Sequence, residues 1–489
     1  MELLLKIGSR LLNRYVIAIV LLIVLGVGYT YIAGLNAEGR EELLGQAQEY
    51  LPLFMFGTLA ILLFSGFPVA FILGGLAMLF GLLGFFLGTF KVIEFFNFLP
   101  RIWGQAAENL VLVAVPAFIF MGVMMERSGI ANDLLYCVQV LLKRVPGALA
   151  LAVTIMGTIL AAMTGIIGAS VTMMTALALP TMIRQGYSHG LASGVIAASG
   201  TLGILIPPSI MLIIMADLLS VSAGDVFTAA IIPGLSLAVL YLSYVMLVAT
   251  INPKMAPPLP PDMLQVPKGK MAPLLAKAFF PPVFLIGMIK GSILFGWATP
   301  SEAGAVGAFG AMVLALMNGR LKYDILEGVC HTAARTTAMV FFIIISATCF
   351  AYVYRSLGGD DIVEHLINES GLSNWGLLFL IMGIVFLLGF FLDWIEISLI
   401  ILPLVAPVIQ NLGFDLVWFT VMFAVCLQTS FLTPPVGFAI FYLKGVAPEG
   451  IDVRTIYRGV VPFILLQLVG LALIFIWKPL VTWLPSMAY

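Results

Sequence analysis

Charge is what this sequence has least of. Only 10% of its 489 residues are Asp, Glu, Lys or Arg, while 62% are hydrophobic and the mean hydropathy is +1.14. A soluble surface draws on about a quarter charged residues, so a soluble globular fold of this length is excluded. Histidine is scarce, and His189, His331 and His365 stand far apart, which argues against a histidine-based metal site or proton relay. The cysteines Cys137, Cys330, Cys349 and Cys426 form no CxxC pair and read as buried apolar thiols, not as a disulfide framework. There is no HExxH, no paired acidic metal motif and no Ser/His/Asp cluster, so the chain does not read as an enzyme. A net charge of −1 gives no basic footprint for nucleic acid.

What the chain does have is long apolar runs. A spanning helix needs roughly 20 apolar residues, and the runs leave room for about a dozen crossings. The first run, about 15–35, is too long for a cleaved signal peptide and lacks its small-residue site. Lys6, Arg10 and Arg14 precede it, and Glu38, Glu41, Glu42 and Glu49 follow. The bias of Lys and Arg places the N-terminus in the cytoplasm. Residues 1–50 are thus an extra N-terminal helix and an outer loop.

Alternation from there predicts a first repeat over 51–250, with an interrupted apolar stretch at 146–184 and a span broken within 190–219. Lys143, Arg144 and Arg184 flank the interrupted stretch, so it enters and leaves on the cytoplasmic side as a re-entrant hairpin. Residues 251–277, rich in proline and lysine, form a cytoplasmic linker. A second repeat over 278–489 carries a hairpin at 375–411 that enters from the periplasmic side, and a span broken within 416–445. The C-terminus is expected outside.

The halves share anchors in one register. Pro180, Gly186-Tyr187 and Pro207-Pro208 recur as Pro407, Gly413-Phe414 and Pro434-Pro435, each 227 residues on, and Arg127-Ser128 recurs as Arg355-Ser356. The first repeat starts outside and the second inside, so the repeats are inverted, an arrangement typical of secondary transporters. Unpaired backbone cannot face lipid, so breaks persist only where they line a cavity or lie within protein. Half-helix C-termini and freed carbonyls suit Na⁺, and half-helix N-termini suit a carboxylate. Two hairpins opposite two broken helices predict two Na⁺ sites flanking a substrate site.

The candidate Na⁺ residues are Gly168, Ser170, Thr201, Gly203, Asp393, Glu396 and Thr429; the candidate substrate residues are Thr164, Gly165, Ser209, Thr433 and Gly437. A carboxylate at apolar depth is a functional candidate by default, which singles out Asp393. Its alternative is a local partner for backbone amides. Ser170 serves equally as a small packing residue, and Glu302 reads better as a helix cap than as a ligand. Lys290 is expected to snorkel to the outer interface, and Arg127 and Arg355 to mark interfaces.

Several stretches carry a family resemblance. They are Ser65-Gly66-Phe67-Pro68-Val69-Ala70-Phe71, Phe120-Met121-Gly122 through Arg127-Ser128-Gly129-Ile130, and Thr164-Gly165-Ile166-Ile167-Gly168-Ala169-Ser170. Ala198-Ser199-Gly200-Thr201-Leu202-Gly203 through Pro207-Pro208-Ser209, Ala298-Thr299-Pro300-Ser301-Glu302-Ala303, Phe391-Leu392-Asp393 and Leu432-Thr433-Pro434-Pro435-Val436-Gly437 add to them. Over about 51–485 the chain resembles the large membrane subunit of TRAP (tripartite ATP-independent periplasmic) transporters. Gln428 through Thr433 and Tyr442 through Pro448 look like the mannitol/chloroaromatic or 2-oxo-acid branch.

The resemblance implies an all-α polytopic fold of two inverted repeats, each with a re-entrant hairpin and a broken helix, like the elevator-type ion transporters. It implies import of a small organic acid across the bacterial inner membrane, driven by Na⁺. The implied partners are a periplasmic substrate-binding protein and a small four-helix membrane subunit, here a separate polypeptide. The first 50 residues depart from the family pattern. The alternative is a stand-alone Na⁺-coupled carboxylate carrier without a binding protein.

Overall fold

A computed structural model describes residues 37–63, 65–165, 167–258, 275–435, 437–448 and 450–488. The expected helix at 15–35 and most of the linker lie outside the described residues. Among those described, all regular structure is helical.

The first repeat opens with α1 (Ala37–Leu63) and α2 (Val69–Leu87), followed by short helices α3 (Val92–Phe96) and α4 (Phe98–Ile102) that run into a π turn at Trp103–Ala107. Next come α5 (Ala114–Arg127) and α6 (Ile130–Leu141), bent by 65° at their junction. Hairpin one is α7 (Ala148–Thr164) and α8 (Ile167–Arg184). The first broken helix is α9 (His189–Thr201), a 3₁₀ turn at Leu202–Ile204 and α10 (Ile210–Leu218), and α11 (Ala223–Ile251) closes the repeat.

The second repeat keeps the order of hairpin, broken helix and following long helix. It begins with α12 (Phe280–Leu294), α13 (Pro300–Met317), α14 (Tyr323–Ser356) and α15 (Gly359–Glu369). Hairpin two is α16 (Asn374–Leu388) and α17 (Trp394–Asn411). The second broken helix is α18 (Leu416–Leu432) and α19 (Phe438–Val446), and α20 (Val453–Ile476) and α21 (Pro479–Ala488) end the chain. The arms α8 and α17 start 227 residues apart, as do α9 and α18.

Local chemistry sets where these helices start. The side-chain oxygens of Ser188, Ser222, Thr299, Ser373 and Asp415 each accept a backbone N–H from the first turn of the helix that follows. These caps satisfy donors that have no intrahelical partner. At α13 the cap is reciprocal: the Thr299 N–H donates to Glu302 Oε2 at 2.8 Å, and Pro300 takes the first helical position.

Seven described helices are long and apolar enough to cross a membrane. The broken helices escape that count because their halves are short. At 1.5 Å per residue, the 13 residues of α9 and the 9 of α10 reach about 20 and 14 Å. Each falls short of a hydrocarbon core of about 30 Å, and together they cross it.

Contacts between distant segments sort the helix ends onto two sides. On one side Gln48 donates to the Leu87 carbonyl, and Asn374 Nδ2 donates to Leu412 O at 3.2 Å. Arg101, Asp217, Arg355 and Gln410 share a cavity there, and Lys478 Nζ lies 5.1 Å from the Trp418 ring centroid. On the other side the Ser188 N–H donates to Met255 O at 3.0 Å, Gly186 lies against Pro257, and Gly147 lies against Ala249. Gly190 adjoins Thr455, and Arg127 reaches Thr332 there. Both ends of hairpin one therefore sit on the second side and both ends of hairpin two on the first. Helix α9 starts on the second side and α18 on the first, so the repeats are inverted.

Some boundaries differ from expectation. Residues 37–50, expected as an outer loop, are helical and continuous with the first repeat, because AEGREELLGQAQEY is rich in helix formers. Helix α14 begins at Tyr323, about three turns before the apolar run that starts at Ala333. The segment after Arg355 contains the amphipathic α15. The final span ends at Ile476, and Trp477 and Lys478 separate it from α21.

Candidate functional site

The centre of the molecule is built crosswise. The second half of each broken helix packs against the outgoing hairpin arm of the other repeat: α10 on α17, and α19 on α8. Each hairpin also touches the broken helix of its own repeat. A Cβ at Gly200 would meet Val171, and one at Gly389 would meet the Ser430 hydroxyl at 1.9 Å.

At the tip of hairpin one, Thr164 is the last residue of α7. Gly165 follows with φ +60°, a conformation that favours glycine, and a Cβ there would lie 3.3 Å from the Ile210 nitrogen. The tip therefore presses on the start of α10. A Cβ at Gly168 would lie 2.9 Å from the Tyr442 ring, so glycine lets α19 approach α8. Ser170 is fully buried in the first turn of α8.

The breaks are closed by hydroxyls. Ser209 Oγ donates to Ile204 O at 2.7 Å across the first break, and Gly203 sits buried in the 3₁₀ turn between. Thr201 Oγ1 donates to Ala198 O at 2.8 Å. In the second repeat Thr429 Oγ1 donates to Val425 O at 2.8 Å and Thr433 Oγ1 donates to Thr429 O at 2.7 Å. Each of these four hydroxyls spends its only proton on a carbonyl, which leaves its oxygen as an acceptor. At Gly437 (φ +52°) a Cβ would lie 3.1 Å from both the Phe431 and Thr433 carbonyl oxygens, so those oxygens converge on the break. The Tyr457 hydroxyl donates to the Pro435 carbonyl and ties the break to α20.

Asp393 and Glu396 form a capping box at the start of α17. Asp393 Oδ1 accepts the Trp394 N–H at 2.8 Å, and Glu396 Oε2 accepts the Asp393 N–H at 3.2 Å. Both carboxylates thus have a local structural task. Among the described residues no three His, Cys, Asp or Glu side chains cluster as a metal site. Any cation held here draws on hydroxyls, carbonyls and at most these two carboxylates. That donor set of hard oxygens fits Na⁺.

Three features were missed from sequence. Tyr442 seats α19 on hairpin one, its ring lying against Gly168. A polar cluster lies wholly buried beside the breaks: Gln467 Nε2 is 3.4 Å from Thr201 Oγ1, and the buried Tyr241 hydroxyl and Gln428 amide have no hydrogen-bond partner among the described residues. Single glutamines inside long apolar runs were its signal. Lys290, expected to snorkel outward, lines a small cavity with Pro207, Pro208 and Thr228 at the first break.

Comparison with known proteins agrees with this architecture. Residues 56–480 match the family described as "Tripartite ATP-independent periplasmic transporter, DctM component". The C4-dicarboxylate TRAP transporter large permease of Pseudomonas aeruginosa is 29% identical over 76% of this chain and 85% of its own. The 2,3-diketo-L-gulonate TRAP transporter large permease of Escherichia coli is 28% identical over 87% of this chain and 95% of its own. The isethionate TRAP transporter permease DctMQ of Oleidesulfovibrio alaskensis is 27% identical over 85% of this chain and 63% of its own. Among solved structures, the YdaH transporter of Alcanivorax borkumensis superposes with a TM-score of 0.58 at 16% identity, covering 79% of this chain and 88% of that one. With the family matched over most of its length, the chain belongs to the DctM component of the tripartite ATP-independent periplasmic transporters and is a large membrane permease.

Proposed function

We propose that this permease imports a small organic acid in symport with Na⁺, by an elevator-like alternating-access movement in the bacterial inner membrane. The observation that carries this reading is the crosswise centre. Each hairpin touches both broken helices, so hairpins and breaks form one block that can shift against the remaining helices. Within the block, hydroxyl and carbonyl oxygens at both breaks offer acceptor positions for two cations, and the start of α10 beside Gly165 offers amides to a carboxylate. The residues proposed for Na⁺ are Gly168, Ser170, Thr201, Gly203, Thr429, Asp393 and Glu396. Thr164, Gly165, Ser209, Thr433 and Gly437 are proposed to face substrate.

The orientation follows from charge. The side holding Gly147, Gly186 and Thr455 also carries Lys143, Arg144, Arg184, Lys254, Arg454 and Arg458 near its helix ends. That side is cytoplasmic, and the side holding Asp225, Asp360, Asp361 and Asp415 is periplasmic. The working partners are a periplasmic binding protein and a small membrane subunit. The name of the DctMQ relative is in keeping with a large and a small part working together.

Omission tests this reading. Uptake in proteoliposomes holding this chain and its small subunit should need both the binding protein and Na⁺. Full uptake without the binding protein would favour the stand-alone carrier, and full uptake without Na⁺ would remove the coupling.

A further inference from the structure

Away from the hairpin tips, a cavity of about 380 Å³ opens on the side read as periplasmic. Its walls come from the π turn after α4, from α14, from the end of α10 and from α17. Two arginines, Arg101 and Arg355, line it. Arg101 lies 4.2 Å above the centroid of the Tyr352 ring, and Arg355 follows Tyr352 by three residues, on the same face of α14. Asn97 Nδ2 donates to the Tyr352 hydroxyl at 2.8 Å and fixes the ring on which Arg101 rests.

The hold on Arg355 is written in the sequence. Pro403 and Pro407 are four apart in α17, and Pro407 has no N–H to give the Pro403 carbonyl. Arg355 Nη2 donates to that freed oxygen at 2.8 Å, and its Nε lies 3.6 Å from Asp360. A single neutral acceptor and one half-exposed carboxylate leave donors of the five-donor fork unused. The third charge in the cavity, Asp217, has both oxygens within 2.8 Å of Asn109 Nδ2, and Ser220 and Thr348 add hydroxyls to the wall.

We propose that this cavity is a vestibule for small carboxylates on the periplasmic side, with Arg101 and Arg355 as its anion-binding residues. The proposal rests on the orientation and organic-acid substrate given above. Its volume lies in the range of small-molecule sites, and guanidinium forks match a carboxylate in two-point geometry. The site lies between α14 and the hairpin-two arm, so an anion held there is positioned beside an element of the proposed moving block.

Arginine modification by phenylglyoxal, read residue by residue by mass spectrometry on the purified full-length chain, tests this without Na⁺ or transport. A failure of Na⁺-driven uptake therefore leaves it readable. Acetate, succinate and citrate are the probes, with chloride at equal ionic strength as control and phosphatidylglycerol micelles as a separate arm. At about ten times its Kd, at least one carboxylate should slow modification of Arg101 and Arg355 about tenfold. Arg320, exposed on the opposite side, should be unaffected. In the Arg101→Gln protein, which keeps the Arg355–Pro403 contact, protection of Arg355 should weaken. Rates unchanged by all three carboxylates, equal slowing by chloride, or protection of Arg355 undiminished in Arg101→Gln would overturn the proposal. Protection by phosphatidylglycerol alone would overturn it in favour of a lipid headgroup site.

Discussion

Gly190 and Gly194 form a G-x-x-x-G pair on α9 that lies against α20, and they give a matched test of the packing. A Cβ at Gly194 would lie 2.1 Å from the Gly459 carbonyl oxygen and 2.7 Å from its carbon. A Cβ at Gly190 would lie 3.6 Å from the Thr455 oxygen, an ordinary contact. Carbon and oxygen approach to about 3.3 Å, so Gly194→Ala must part the two helices by about 1.2 Å at that point. The obstacle is backbone and cannot rotate aside. Overpacking of this kind costs about 1–3 kcal/mol. The same shift stretches the 3.4 Å Gln467–Thr201 contact between these helices, so it reaches the first break. Both alanines gain helix propensity of about 1 kcal/mol, which cancels in the comparison. Thermal unfolding of the two purified variants should show Gly190→Ala at or above wild type and Gly194→Ala clearly below it, with Gly459→Ala as the reciprocal loss. A Gly194→Ala protein as stable as Gly190→Ala would refute the close approach of α9 and α20.

The remaining predictions concern the hairpin tips and a cap. Asp393→Asn keeps a capping side chain and should fold normally while raising the Na⁺ concentration for half-maximal uptake. Asp393→Ala should in addition lose about 1 kcal/mol of stability. Wild-type Na⁺ dependence in Asp393→Asn would leave Asp393 only its cap. Gly168→Ala should impair folding or uptake because its Cβ meets the Tyr442 ring, and Tyr442→Ala in the same chain should restore part of the loss. An additive double variant would contradict that contact. Glu302→Ala should lower thermal stability modestly and leave the Na⁺ dependence of uptake unchanged, since Glu302 only caps α13.

The repeat was legible because proline and glycine report on backbone: Pro180, Pro207 and Pro208 recur in one register with their partners in the second half. The inverted orientation was legible because Lys and Arg cluster at helix ends of one side. Asp393 and Glu396 were also legible as special, and their Asp-x-x-Glu spacing is a capping signature as well as an acidic pair. What could not be read was who meets whom across the repeats. Periodicity says nothing about Tyr442 lying on Gly168, Arg355 reaching the carbonyl freed by Pro407, or Gly194 touching Gly459. Those contacts link residues dozens to hundreds of positions apart and follow from topology, not from local pattern.

The central claim is that the two breaks hold two Na⁺ whose movement is coupled to substrate. Initial uptake rate against Na⁺ concentration, in proteoliposomes with both partners and saturating binding protein, tests it most directly. The account predicts a sigmoidal dependence with a Hill coefficient above one and no higher than two, the number of sites. A hyperbolic dependence, or uptake that K⁺ supports equally well, would contradict it.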